Sequence, residues 1–230
     1  MNEMVSNSAT IGIVVSIIGY EIGVILKRKF KLAIFNPLLV SIVLVIAVLL
    51  IFRIDFESYN SRAKYLSYLL TPATVSLAIP LYSQLELLKK HKLAIFGGVI
   101  SGVVTSLTTV FALSFLFRLN HEEYVTMLPK SITTAIGIGV SEELGGCVTI
   151  TVAAILVTGV LGNILAEVIC KVFRITDPVA KGIAIGTASH AMGTSKAMEI
   201  GEVEGAMSSL SIVIAGLCTL IGASVFANFL

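Results

Sequence analysis

Residues 186–206 read GTASHAMGTSKAMEIGEVEGA: one histidine, one lysine and three glutamates among small and hydroxyl-bearing residues, between two apolar runs. Two other stretches have a related character. MLPKSITTAIGIGVSEELGG (127–146) sets Lys130 beside Pro129 and follows it with Ser131, Thr133 and Thr134. LLTPATVSLAIPLYSQ (69–84) holds Thr71, Thr74 and Ser76 between Pro72 and Pro80. Hydroxyls in such numbers can replace the hydration shell of a small carboxylate, and an ammonium among them can pair with it. The candidate binding residues are therefore Thr74, Ser76, Lys130, Ser131, Thr133, Thr134, Thr187, Ser189, His190 and Thr194. Each single hydroxyl also has a plain use in helix packing. Lys130 has an equal alternative as a lysine snorkelling to the membrane interface.

His190 can donate to a substrate or relay a proton near neutral pH; a structural bond to a backbone carbonyl is the competing assignment. Glu199 and Glu202 lie three residues apart and share a helix side. With Lys196 they read either as a proton-coupling group or, preferably, as an ion-pair cluster at a helix end. Nucleophilic catalysis is a poor fit, because Ser189 and His190 are adjacent and their side chains diverge on a helix. No HExxH motif or Walker-type lysine loop is present. The expectation is a protein that is not an enzyme and needs no cofactor or metal. Cys147, Cys170 and Cys218 sit far apart in apolar company, which suits packing thiols.

The elements that must position these residues are membrane helices. Of 230 residues 56% are hydrophobic and only 13% charged, about half the charged share of a soluble domain. The net charge of +2 and the lack of basic runs mixed with aromatics give no reason to expect nucleic acid. The opening MNEMVSNSAT lacks a basic signal-peptide region, so the first apolar run is expected to stay as a span. Runs at 9–26, 36–52, 93–117, 147–169 and 205–229 suit crossings of about 20 residues, and 65–88 is expected to cross once despite its prolines. The three broken segments hold prolines and glycines where non-helical backbone is tolerated only beside protein or a wetted cavity.

Lys27–Lys31, Lys89–Lys92 and the group Lys171, Arg174 and Lys181 want the cytoplasmic side. That places 125–146 as a re-entrant segment from the outer face and 178–200 as one from the inner face. The fold class is thus an all-α polytopic membrane protein of about six spans with re-entrant pieces, an inverted-repeat arrangement around a midplane site. A competing internal match, PATVSLAIP (72–80) with PKSITTAIG (129–137), would instead give those two segments the same architecture. We expect one integral domain over 1–230, with 1–60 as scaffold and oligomerisation spans and 64–230 as the transport-like core. A homodimer in the lipid bilayer of a bacterial cytoplasmic membrane is the expected setting. Ala197, Gly201, Gly205 and Ser209, four apart, suggest a smooth packing stripe on one helix.

The stretches TPATVSLAIPLYSQ, LPKSITTAIGIGVSEELGG and GTASHAMGTSKAMEIGEVEGAMSSLS make the chain similar to the LrgB/CidB family over nearly its whole length. The resemblance implies either a regulator of autolysis beside a small hydrophobic LrgA/CidA-type partner, or a carrier of glycolate, glycerate or pyruvate. Transport of small monocarboxylates is the favoured expectation, because a lesion-former has no need of hydroxyl-rich broken helices. Two departures stand out: Ala135 replaces a second proline common in the family, and Gly139 falls where relatives frequently carry a glutamate.

Overall fold

The computed structural model describes residues 11–30, 35–69, 72, 75–76 and 78–230, and among them every regular element is helical. They divide into two compact units after Ser76.

The first unit contains α1 (Ile11–Phe30), α2 (Pro37–Ile51) and α3 (Phe56–Ser67). Asn36 starts α2 by accepting from the Leu38 and Leu39 amides, and Asp55 starts α3 by accepting from Glu57 and Ser58. Ser16 of α1 bonds Tyr59 of α3 at 2.8 Å, and Ser41 of α2 donates to the Ser16 carbonyl at 3.3 Å. Hydroxyl bonds of this kind hold helices together where lipid offers no hydrophobic drive.

The second unit contains α4 (Ala78–Ser83), α5 (Leu85–Phe117), α6 (His121–Met127), α7 (Thr134–Glu143), α8 (Val148–Val172), α9 (Pro178–Ile200) and α10 (Glu202–Phe226). Among the described residues, three helices are long and apolar enough to cross a membrane: Leu88–Phe117, Val148–Val172 and Glu202–Phe229. Six were expected. Any run of spanning length in α1 takes in Glu21, Lys27 and either Arg28 alone or with its neighbours, and α2 has only 15 residues. Between 65 and 84 the described elements are the end of α3, at Ser67, and the six-residue α4, and among the described residues neither is of spanning length.

The two other broken segments of this unit double back. In α9, Ser189 (φ −139°, ψ 22°) and His190 (φ 43°, ψ −140°) leave helical geometry. Before the break, a methyl added at Gly182 would fall 2.5 Å from the Glu204 carbonyl, and Gly186 lies against Ser208. After it, Thr194 bonds Ser208 at 2.7 Å and Met198 packs on Gly205. Contacts with α10 therefore ascend along the first arm and descend along the second, and the chain reverses at 189–190. Residues 128–133 make the same reversal between α6 and α7. Pro129 faces Gly137, while Thr126 and Ser141 meet at Thr151 of α8.

The two hairpins open at opposite ends of this unit. α5 and the first arm of α9 run in the same direction, with Gly98 on Ile183 and Gly102 on Thr187. The end where the α9 hairpin opens carries Lys89, Lys90, Lys92, Lys171, Arg174 and Lys181; the end where the α6–α7 hairpin opens carries Glu122, Glu123, Glu142 and Glu143. Tyr124 secures that acidic end by donating to the Phe226 carbonyl at 2.8 Å. The expected small-residue stripe does not lie on one helix. Gly201, in extended backbone, separates α9 from α10, so Ala197 and Gly205 belong to different helices that face each other.

One connector occurs three times. At the ends of α2, α5 and α8 a phenylalanine (Phe52, Phe117 and Phe173) is followed by an arginine in left-handed backbone: Arg53 (φ 50°), Arg118 (φ 54°) and Arg174 (φ 53°). The next amide then reaches back five residues: Ile54 to Leu49, Leu119 to Ser114 and Ile175 to Cys170, at 2.8–2.9 Å. An Asp or Asn caps the following helix in each case. Glycine normally fills the left-handed place, and α7 ends that way, with Gly145 at φ 78°. An arginine there costs roughly 1 kcal/mol or more in backbone strain.

The tight seat of the α9 hairpin on α10 predicts that Gly186→Ala, which thrusts a methyl onto the Ser208 backbone, destabilises by about 1–3 kcal/mol. Gly139→Ala, with nothing within 4 Å of the added carbon, is expected to be neutral or to stabilise by about 0.5–1 kcal/mol. Thermal unfolding of the two purified variants in detergent checks the contrast.

Candidate functional site

A helix that reverses inside an apolar environment frees backbone groups that must find protein partners. At the α9 reversal they do. Ser189 Oγ donates to the Ile185 carbonyl at 2.8 Å, Thr194 Oγ1 contacts the His190 carbonyl at 3.0 Å, and Asn163 of α8 donates to the Met192 carbonyl at 2.7 Å. His190 Nε2 lies 3.0 Å from the Ile155 carbonyl of α8. Room for these side chains comes from α8: a methyl at Gly159 would meet the His190 ring at 2.7 Å, and one at Gly162 would overlap Ser189. Ile155 serves both hairpins, since its side chain packs over Gly137 of α7.

Beside the two tips a cavity of about 770 Å³ runs along α5. Gly98, Gly102, Thr105, Ser106 and Thr109 form one wall, Lys130 and Ser131 one end, and Val179, Ile183 and Thr187 the facing wall. The Lys130 ammonium donates to Ser131 Oγ at 3.1 Å and Ser106 Oγ at 3.4 Å, and those two hydroxyls are 3.1 Å apart. No carboxylate forms a salt bridge with Lys130 among the described residues. An ammonium has three protons; two go to the serines. The serine pair shares one hydroxyl proton between them. One N–H and one O–H remain unspent, a match for the two oxygens of a carboxylate.

Thr187 supplies a further polar group. It is 6% exposed, and its Oγ1 is the one buried side-chain nitrogen or oxygen without a hydrogen-bond partner among the described residues. Its neighbour Gly102 lies one helical turn from Ser106, a separation of about 6 Å along α5. The amino terminus of α7, whose cap Thr133 makes no side-chain bond, adds positive potential at the Lys130 tip.

Of the residues singled out from sequence, Lys130, Ser131 and Thr187 line this cavity. Thr133 and Thr134 start α7 just past the tip and do not line it. Ser189, His190 and Thr194 are spent on holding the reversal, facing α8 and α10. Glu199 and Glu202 lie at the basic end rather than at the tips. Glu199 shares Lys196 with Glu167 of α8, at 3.1 and 2.5 Å, and Glu202 is exposed on the first turn of α10. Thr74 lies outside the described residues, as does Thr71; Ser76 is exposed at the end of the first unit.

Sequence reasoning passed over Ser106, Thr105 and Thr109, because α5 reads as an ordinary span. The signal was there in SGVVTSLTTV (101–110), a dense run of hydroxyls and glycine inside an apolar helix. It also passed over Glu204, buried in the first turn of α10 with Lys181 3.9 Å away.

The LrgB-like family matches residues 16–229. This chain belongs to the LrgB-like family. It is 39% identical over 220 residues to the antiholin-like protein LrgB of Bacillus cereus (strain B4264), which spans 95% of this chain and 96% of the relative. The same figures hold for the antiholin-like protein LrgB of Bacillus anthracis (strain A0248). No solved structure matches the chain.

Two hydroxyls one turn of the fold apart are expected to behave oppositely. Thr194→Val removes the hydroxyl that bonds the His190 carbonyl and the buried Ser208 Oγ and should cost about 1–3 kcal/mol. Thr187→Val removes a hydroxyl that has no partner, and its unfolding temperature is expected to stay level or rise. Side-by-side thermal melts decide it.

Proposed function

We propose that this LrgB-like protein carries small monocarboxylates of the pyruvate, lactate and glycolate class across a bacterial cytoplasmic membrane. The single observation behind this is the Lys130–Ser106–Ser131 cluster lining a cavity of about 770 Å³: a cation with no salt bridge among the described residues, with one N–H and one serine O–H to spare. A cavity of that size accommodates a three-carbon acid with room for water. A half-buried cation with no salt bridge among the described residues favours an anionic ligand over a neutral one.

The surrounding architecture supports movement of that ligand. The two hairpins, opening at opposite ends and each followed by a long apolar helix, are read here as the inverted pair that secondary transporters build around a central site. The basic end is assigned to the cytoplasm by the positive-inside rule. His190 is committed to the α8 backbone and Glu199 to Lys196, so neither is assigned proton coupling in this reading.

A second reading follows from the relatives, which carry the name antiholin-like. On that view the chain regulates lesions that release murein hydrolases, with or without a small hydrophobic partner. The two readings differ in size selectivity. In liposomes holding the purified protein, uptake of labelled pyruvate, lactate or glycolate is expected, with no leakage of dyes several times larger. Lys130→Ala should slow that uptake by roughly ten- to hundredfold, the loss of one charge-assisted hydrogen-bond set. Uptake equal to that of the unaltered protein would remove Lys130 from the site, and dye leakage would favour the lesion reading.

A further inference from the structure

We propose that the junction of α8 and α9 binds the phosphate of an anionic phospholipid, with Lys171, Arg174 and Lys181 as its cationic contacts. A cavity of about 640 Å³ opens there, lined by these three cations, Thr176 and one carboxylate, Glu167. Glu167 is already engaged with Lys196 at 2.5 Å. Lys171 and Arg174 form no salt bridge among the described residues, and Lys181 has only Glu204, at 3.9 Å. The cavity therefore has surplus positive charge and a hydroxyl, the chemistry of a phosphate site.

Arg174 shares its left-handed geometry with Arg53 and Arg118, and of the three it is the one that lines this cavity, beside Lys171 and Lys181. The source is a lipid rather than a soluble phosphate because of what adjoins the cavity. Phe173 is 72% exposed and Val172 69%, on the last turn of an apolar helix of spanning length. Acyl chains would cover that surface while the headgroup meets the cations, as basic pockets beside membrane helices do.

This proposal is independent of the transport reading, since it concerns the surrounding bilayer. The test uses the full-length protein in detergent, titrated separately with phosphatidylglycerol, phosphatidylcholine and inorganic phosphate while thermal unfolding is followed. Phosphatidylglycerol is expected to raise the unfolding temperature well above the effect of phosphatidylcholine, and inorganic phosphate to have little effect. Arg174→Gly, which relaxes the backbone, should melt no lower without lipid. The phosphatidylglycerol concentration for half of the shift should rise by about fivefold, and by more when Lys171→Gln is added. An undiminished shift in the double variant overturns the proposal, as do equal shifts with both lipids or a full shift with inorganic phosphate alone. Should Arg174→Gly fold poorly, the exposed change Lys171→Gln alone must still weaken the phosphatidylglycerol effect.

Discussion

The second unit depends on reversing a helix at Ser189–His190 without leaving its backbone unsatisfied. Each unpaired polar group away from water costs on the order of 1–3 kcal/mol, and a reversal frees several at once. Ser189 covers the Ile185 carbonyl, Thr194 covers that of His190, and Asn163 reaches over from α8 to Met192. His190 adopts a positive φ and ties the turn to the Ile155 carbonyl. The arm before this turn, bearing Thr187, runs beside α5 and closes one wall of the cavity.

The cavity and the reversal thus divide the polar residues of the same segment between two tasks. Hydroxyls facing α8 and α10 are consumed by structure, whereas Thr187, facing α5, has no hydrogen-bond partner among the described residues. Lys130 shows the same logic at the other tip. Its two serine neighbours hold the ammonium in position without neutralising it, which a carboxylate partner would have done. Hydroxyl neighbours keep the charge available at little electrostatic cost to a ligand.

Much of this was legible in the sequence. Pro129 with Lys130, and the glycines and hydroxyls around His190, marked the two places where a helix must break in apolar company. Basic residues gather at the end where the α9 hairpin opens and acidic ones where the α6–α7 hairpin opens. What the sequence withheld was direction of facing. Ser189, His190 and Thr194 look as suitable for a ligand as Thr187 does, and only the contacts of Gly159, Gly162 and Ser208 show which side each takes. The expected count of about six spans is not confirmed: among the described residues three helices are of spanning length and character, while α1 holds Glu21 and a basic cluster and α2 has 15 residues. Ser106 escaped notice since a serine in an intact helix looks like packing.

Ile155 has a consequence for how the fold tolerates change over generations. It holds one hairpin through its carbonyl and the other through its side chain. A main-chain oxygen is present whatever residue the codon specifies, so the anchorage of His190 is shielded from drift at that position. The fit over Gly137 has no such shield, because it depends on the bulk of the side chain. Inherited variation at this one site should therefore retune the α6–α7 hairpin while sparing the α9 hairpin, allowing the two halves of the cavity to diverge separately.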